Sequence, residues 1–234
     1  MILALFGALL IAQAPGEAGV RPFNPNPLSP FRKAKAEWLL RHRLPCLGCH
    51  ELDGQGGRIG PSFSEVKRLR SADYVYWVIR LPGSIMPRVP MSQATIELIA
   101  SYLGQRVPTP GASRSVRAPA IPASDAAEPG RAPALYGLFC APCHGVRGGG
   151  DGYNAPFLPV RPTAHADSAY MSGRSDDALF DAIYAGGYVM NRSNLMPPFG
   201  GTLTRDHIWD LTRYLRTLCR CEGPAWSRDN APNQ

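Results

Sequence analysis

The sequence predicts an all-α fold arranged as a tandem duplication, with two small helical domains joined by a proline-rich linker. Three observations carry that expectation. A cysteine–histidine pentapeptide occurs twice, as Cys46-Leu47-Gly48-Cys49-His50 and as Cys140-Ala141-Pro142-Cys143-His144. Each copy is followed by a glycine-rich loop, a Met-Pro pair (Met86-Pro87 and Met196-Pro197) and a closing stretch with helical spacing of its apolar residues. Between the copies, Pro108, Pro110, Pro119, Pro122, Pro129 and Pro133 stand among Ala, Ser and Gly with no helical or strand period. Such a composition makes a semi-extended connector. The expected boundaries are 1–18 for a leader, 19–107 for the first domain, 108–130 for the linker, 131–221 for the second domain and 222–234 for a flexible tail.

The leader has an apolar core, Ile2 to Ala12, then small residues with an A-x-A match at Ala12-Gln13-Ala14. That run is shorter than the ~20 residues needed to span a bilayer, which excludes a polytopic membrane protein. No Lys or Arg precedes it, and Pro15 directly follows the A-x-A match. A buried helix of the mature fold is the alternative. The expectation is export, to the periplasm or the outer face of the cytoplasmic membrane, with the segment cleaved or kept as an N-terminal anchor. No cysteine precedes Cys46, so a lipid-modified N-terminal cysteine is excluded.

In the first domain, Ile96, Ile99, Ala100 and Leu103 share a face after a candidate N-cap at Ser92. In the second, Ile208, Leu211, Leu215 and Leu218 do so after Thr204. An apolar fraction of 44% excludes wholesale disorder, while 24 Gly and 24 Pro in 234 residues predict much loop and short helices. The net charge of +7 is uneven: residues 19–107 hold 13 basic and 6 acidic side chains, and residues 131–221 hold 9 and 7. The basic first domain predicts a partner with an acidic docking surface. No compact Lys/Arg run interleaves with aromatics, which argues against nucleic acid.

Two thiols three residues apart sit about one helical turn apart on one side of the backbone. That spacing lets Cys46 with Cys49, and Cys140 with Cys143, form thioether bonds to the two vinyl groups of a haem, with His50 or His144 turned toward the iron. A thioredoxin-type redox pair would need alternating strands and helices, which the sequence lacks. A zinc site would have to close across the 94 residues between Cys46 and Cys140, and structural disulfides are the third rival in an exported chain. Repetition of the motif with the same downstream pattern favours two covalently bound haem c groups.

Both halves resemble class I cytochrome c domains, over about residues 34–104 and 131–219. In the second half the resemblance rests on Cys140 to Gly145, Gly150-Asp151-Gly152, Leu179-Phe180 with Gly186-Gly187, and Leu195-Met196-Pro197-Pro198-Phe199-Gly200. In the first half it rests on Gly60-Pro61 and Ile85-Met86-Pro87, and it departs where His42 replaces the aromatic that Tyr136 supplies ahead of Cys140, with Trp38 one turn earlier. The helix crossing of the first domain is therefore expected to be atypical.

The resemblance implies a methionine thioether as sixth iron ligand, which raises the potential. Met196 fits that role, with Met190 and Met171 as alternatives. In the first half Met86 competes with Met91, and Met86 is favoured because Met91 abuts the cap and leaves little loop to reach over a ring. Bis-histidine ligation would draw on His42, His165 or His207. His207 is expected to be solvated, and His165, Arg161 and Arg58 to lie at the surface or near propionates. Cys219 and Cys221 are expected to close a local disulfide, with pairing to another chain or free thiols as alternatives.

The function expected is electron transfer between redox partners in a respiratory or photosynthetic chain, with no small-molecule substrate. The chain would act free or as a subunit of a larger membrane complex. A dihaem enzyme of the peroxidase kind is the alternative, and it would need one haem able to open a coordination position.

Overall fold

A computed structural model describes residues 23, 25, 27–64, 71–83, 85–106 and 130–228. The leader, the linker apart from Gly130, and residues 229–234 of the tail lie outside the described residues. The first half runs α1 (Pro30–His42), a 3-10 turn (Pro45–Gly48), a two-residue antiparallel ladder of β1 (Glu51–Leu52) and β2 (Gln55–Gly56), α2 (Ala72–Arg80) and α3 (Gln93–Gly104). The second runs α4 (Arg131–Phe139), α5 (Ala141–His144), a 3-10 turn (Ala155–Phe157), α6 (Ser168–Ser172), α7 (Asp176–Val189), α8 (Arg205–Cys219) and α9 (Ala225–Arg228). The structure is thus mostly helical, as an all-α cytochrome c-like fold requires.

Side-chain caps start most of these helices. Ser92 accepts from the Thr95 amide and Thr204 from the His207 amide, as their positions ahead of the apolar stripes predict. Ser29, Ser71, Asp167 and Ser175 cap α1, α2, α6 and α7 in the same way. Within the segment expected to be a loose tail, residues 225–228 form one helical turn, held in part by the Ser227 hydroxyl donating to the Pro224 carbonyl.

Each half has its own apolar core. In the first, α3 packs on both α1 and α2. Contact on two sides broadens the buried face: Leu98 through Leu103 are all buried, while Ile96, expected on the core stripe, is only half-buried. The helix pair α1–α3 closes through Ala36 and Leu40, both 0% exposed, while Trp38 is 51% exposed and leans on His42 with centroids 5.6 Å apart. The first crossing therefore replaces an aromatic with a small and a branched residue. In the second half the matching crossing, α4 on α8, is built on Tyr136 edge-on to Tyr214 at 5.3 Å.

The core stripe of α8 is also wider than its sequence suggests. Ile208, Leu211 and Leu215 are buried as expected, and Leu218 is half-buried against the core. His207, expected to be solvated, is 9% exposed, because α8 packs against α4, α6 and α7 at once. Beyond α8, Cys219 and Cys221 are joined in a local disulfide. Arg216 fastens this end by donating to the Met171 carbonyl at 2.8 Å and, through Nε, to Asp176 at 2.8 Å.

At the other end of α8, the Asp210 carboxylate accepts from Arg131 Nε at 2.8 Å and pairs with Arg213. Burial opposes ionisation of Asp210, but hydrogen bonds from Arg131 and Arg213 prevail and hold its pKa below the ordinary carboxylate value. Arg131→Ala is expected to lower stability by about 1–3 kcal/mol in urea melts at neutral pH, the usual cost of losing a hydrogen bond to a partly buried charged group. A depressed folded pKa contributes stability above the unfolded value of about 3.8, and that contribution disappears as pH falls through the lower folded value. The gap between wild type and variant should therefore close only below the ordinary carboxylate range.

Candidate haem-binding sites

The two pentapeptides fold into the same turn. The His50 amide donates to the Cys46 carbonyl at 2.9 Å, and the His144 amide to the Cys140 carbonyl at 2.8 Å. In each copy the first and second cysteines are linked by a further amide-to-carbonyl bond, 3.2 Å in the first and 3.1 Å in the second. The four motif cysteines are free thiols and half-buried. Burial pushes Cys46, Cys49 and Cys140 up to about 12 and raises Cys143 as well, so all four stand as neutral thiols at neutral pH. A zinc site would demand convergent thiolates, and among the described residues no group of three His, Cys, Asp or Glu side chains is placed to hold a metal ion.

Each motif histidine is oriented by a backbone carbonyl. His50 Nδ1 lies 2.7 Å from the Pro61 oxygen, and His144 Nδ1 lies 2.8 Å from the Thr163 oxygen. A carbonyl can only accept, so each Nδ1 carries its proton and each Nε2 presents a lone pair. Burial lowers the pKa of both rings, with the carbonyl bond acting in the opposite sense, and so favours the neutral form that can ligate a metal.

A second ring backs each imidazole. Phe63 stacks on His50 at 4.5 Å between centroids, and His165 stacks on His144 at 4.0 Å. His165 Nδ1 is 3.0 Å from the Tyr136 hydroxyl, and burial with the neighbouring His144 holds it well below the ordinary histidine value. His165 thus stands against the motif histidine, half-buried, and borders the same cavity as His144. The sequence offered no sign of the Phe63 contact, because nothing in its spacing fixes which ring backs His50.

In the second half, a cavity of ≈ 350 Å³ is lined by Cys140, Cys143 and His144 together with Met196. Phe139, Leu179, Ile183 and Phe199 are among its apolar walls. Attachment thiols, an imidazole and a thioether around one apolar space are the donor set a c-type haem requires, so these residues fit that group. Met171 and Met190 also line the cavity, but Met171 is buried within the core cluster. Arg161, expected at the surface or near propionates, is exposed and reaches back to the carbonyls of Gly149 and Gly150.

The methionine loop is pinned to α7. Backbone amides of Gly187, Phe199 and Gly200 bond to the carbonyls of Met196, Ile183 and Tyr184 at 3.0 Å each. This approach needs the Gly186-Gly187 pair. Gly186 breaks α7 with φ 79°, and a Cβ on Gly187 would stand 2.2 Å from the Ser193 oxygen and 3.2 Å from Met196 Cβ.

In the first half, Met91 packs against the core cluster, whereas Met86 is half-buried in the non-helical stretch 85–91. His42 is on α1 beside Trp38. Arg58 lies over the Phe157 ring of the second half at 4.2 Å.

Gly187→Ala is expected to displace the 193–198 loop without unfolding the helices, at a cost of about 1–3 kcal/mol for overpacking. Hydrogen exchange should show faster exchange at the Gly187 and Phe199 amides, while α4 and α8 keep their protection.

Residues 127–215 match the family described as cytochrome C oxidase, cbb3-type, subunit III. No curated protein matches the chain. Among solved structures, the reducing HAO-like protein complex of Kuenenia stuttgartiensis is similar at 21% identity, covering 74% of this chain and 79% of that one. The TM-score of that match is 0.32. The family match falls on the half that holds the cavity, and it supports a c-type cytochrome that binds haem c covalently and serves electron transfer.

Proposed function

We propose that the chain is a dihaem c-type cytochrome that carries electrons between redox proteins, with one haem in each half. The observation that carries this is the cavity shared by Cys140, Cys143, His144 and Met196, together with the same attachment turn and the same Nδ1-to-carbonyl bond at Cys46, Cys49 and His50. Domains at 19–107 and 131–221, joined by the linker 108–130, belong to this reading.

When bound, haem c supplies one-electron chemistry between Fe(III) and Fe(II). The chain's residues attach it, orient it and tune it. Cys46, Cys49, Cys140 and Cys143 provide the thioether sulfurs. His50 and His144 offer Nε2 because their Nδ1 protons are committed to Pro61 and Thr163. Met196 and Met86 would hold the iron through their thioethers and favour its reduced state. The packing of Met91 in the first core supports Met86 as the ligand there. The apolar walls of Phe139, Leu179, Ile183 and Phe199 would shield the group from water on their side.

Arg32, Lys33 and Lys35 are exposed on α1, and this basic face suits an acidic redox partner. Export by the leader places that encounter outside the cytoplasmic membrane, with the partner free or part of a membrane complex.

Intact-protein mass spectrometry of the holo form should read the polypeptide plus two macrocycles; a mass with one or none overturns the proposal. Reduced protein should fail to bind carbon monoxide rapidly, whereas rapid binding at one haem would favour an enzyme. Met196→Ala and Met86→Ala should each remove part of the near-infrared methionine–iron band and lower one midpoint potential, and Met91→Leu should leave both unchanged. Reversing Lys33 and Lys35 to Glu should slow association with an acidic partner about tenfold at low salt, with the difference fading as salt rises.

A further inference from the structure

Asn154 follows the glycine-rich loop of the second half and is 0% exposed. Its Nδ2 donates to the carbonyl of Gly48 at 2.9 Å and lies 3.2 Å from Cys143 Sγ, while its Oδ1 accepts from the Arg58 amide at 2.7 Å. Gly48 stands between the two cysteines of the first attachment motif, and Cys143 is the second cysteine of the other. One buried side chain therefore ties both attachment turns together.

The surrounding seam leaves little freedom. A Cβ on Gly48 would stand 2.0 Å from the Leu195 carbonyl oxygen, and a Cβ on Gly57 would stand 2.8 Å from both amide atoms of Asn154. Asn194 Nδ2 donates to the Leu44 carbonyl at 3.1 Å, and the Arg88 amide donates to Thr202 Oγ1 at 2.8 Å. Arg43 lies over Tyr188 at 4.4 Å, on the same seam as the Arg58–Phe157 contact. Apolar contacts alone could slide. A buried amide with all three of these partners fixed in direction sets one register.

A c-type macrocycle is bonded directly to the motif sulfurs, so wherever these turns are held, the porphyrin edges are held too. Tunnelling between two such edges falls steeply with their separation, which makes the register of the turns a determinant of rate. We infer that Asn154 is a positioning residue for electron exchange inside the molecule, locking the two attachment turns edge to edge so that the halves share electrons without a second encounter. The step moves one electron: one site is oxidised from Fe(II) to Fe(III) as the other is reduced from Fe(III) to Fe(II), and no bond forms or breaks. This rests on the dihaem reading above.

The test uses the full holo chain, with two macrocycles verified by mass. Flash reduction by a small-molecule donor should be followed by redistribution between the sites at a rate independent of protein concentration. Asn154→Ala should slow that redistribution by about tenfold or more, with haem count and near-infrared bands unchanged. Thr202→Val removes a seam hydrogen bond remote from the attachment turns and should stay within about twofold of wild type. Should Asn154→Ala fail to fold, Gly57→Ala wedges the same contact, since a Cβ there would stand 2.8 Å from both Asn154 amide atoms and against the Gly48 carbonyl, and it should produce the same slowing. An unchanged rate in the folded Asn154 or Gly57 variant, or equal slowing in Thr202→Val, overturns the inference and leaves the dihaem reading standing. A single macrocycle overturns the dihaem reading itself.

Discussion

An imidazole can present only one lone pair, and a carbonyl hydrogen bond at the other nitrogen decides which. In this chain that decision is made twice, by Pro61 at His50 and by Thr163 at His144. Everything around the two turns is arranged to bring those carbonyls home. The glycine-rich segments that follow each motif fold back on it, with the Gly57 amide on the Leu47 carbonyl and the Gly152 amide on the Cys143 carbonyl. In the second half the helices then supply walls, and the Met196 loop borders the same cavity. Losing the carbonyl contact would free the ring to rotate and would undo the purpose of the attachment spacing.

The halves share this plan and differ in what stacks on the imidazole. Phe63 offers His50 an apolar face, while His165 offers His144 a polar ring that is itself held by the Tyr136 hydroxyl. The second imidazole is therefore part of a polar chain reaching α4. The crossing helices differ in parallel, with Ala36 and Leu40 in one and Tyr136 against Tyr214 in the other. Tyr136 serves both features, so an aromatic four residues before the motif does more in the second half than fill space.

Features set by nearby residues were legible in the sequence. The paired motifs, the caps at Ser92 and Thr204, the Met196 loop and the local Cys219–Cys221 disulfide all depend on residues close in the chain, and their spacing exposes them. Features set by tertiary neighbours were not. The breadth of the α3 face depends on α2 as well as α1, and the burial of His207 depends on three helices around α8. Asn154 reads as one polar residue in a turn. Its partners lie 96 and 106 positions away, at a distance where periodicity and propensity carry no signal. The place of Phe63 and His165 against the imidazoles was hidden for the same reason.

Leu195 and Met196 are consecutive and both border the second cavity, while Leu195 reaches the first core as well. A single peptide step thus converts motion at one place into loss of packing at the other. Withdrawing the thioether from its cavity drags a leucine out of the neighbouring hydrophobic cluster, at a cost bounded by the roughly 1.5–3 kcal/mol that full exposure of such a side chain carries. The loop behaves as a lever whose fulcrum is the backbone between these two residues, and each half acts as ballast for the other.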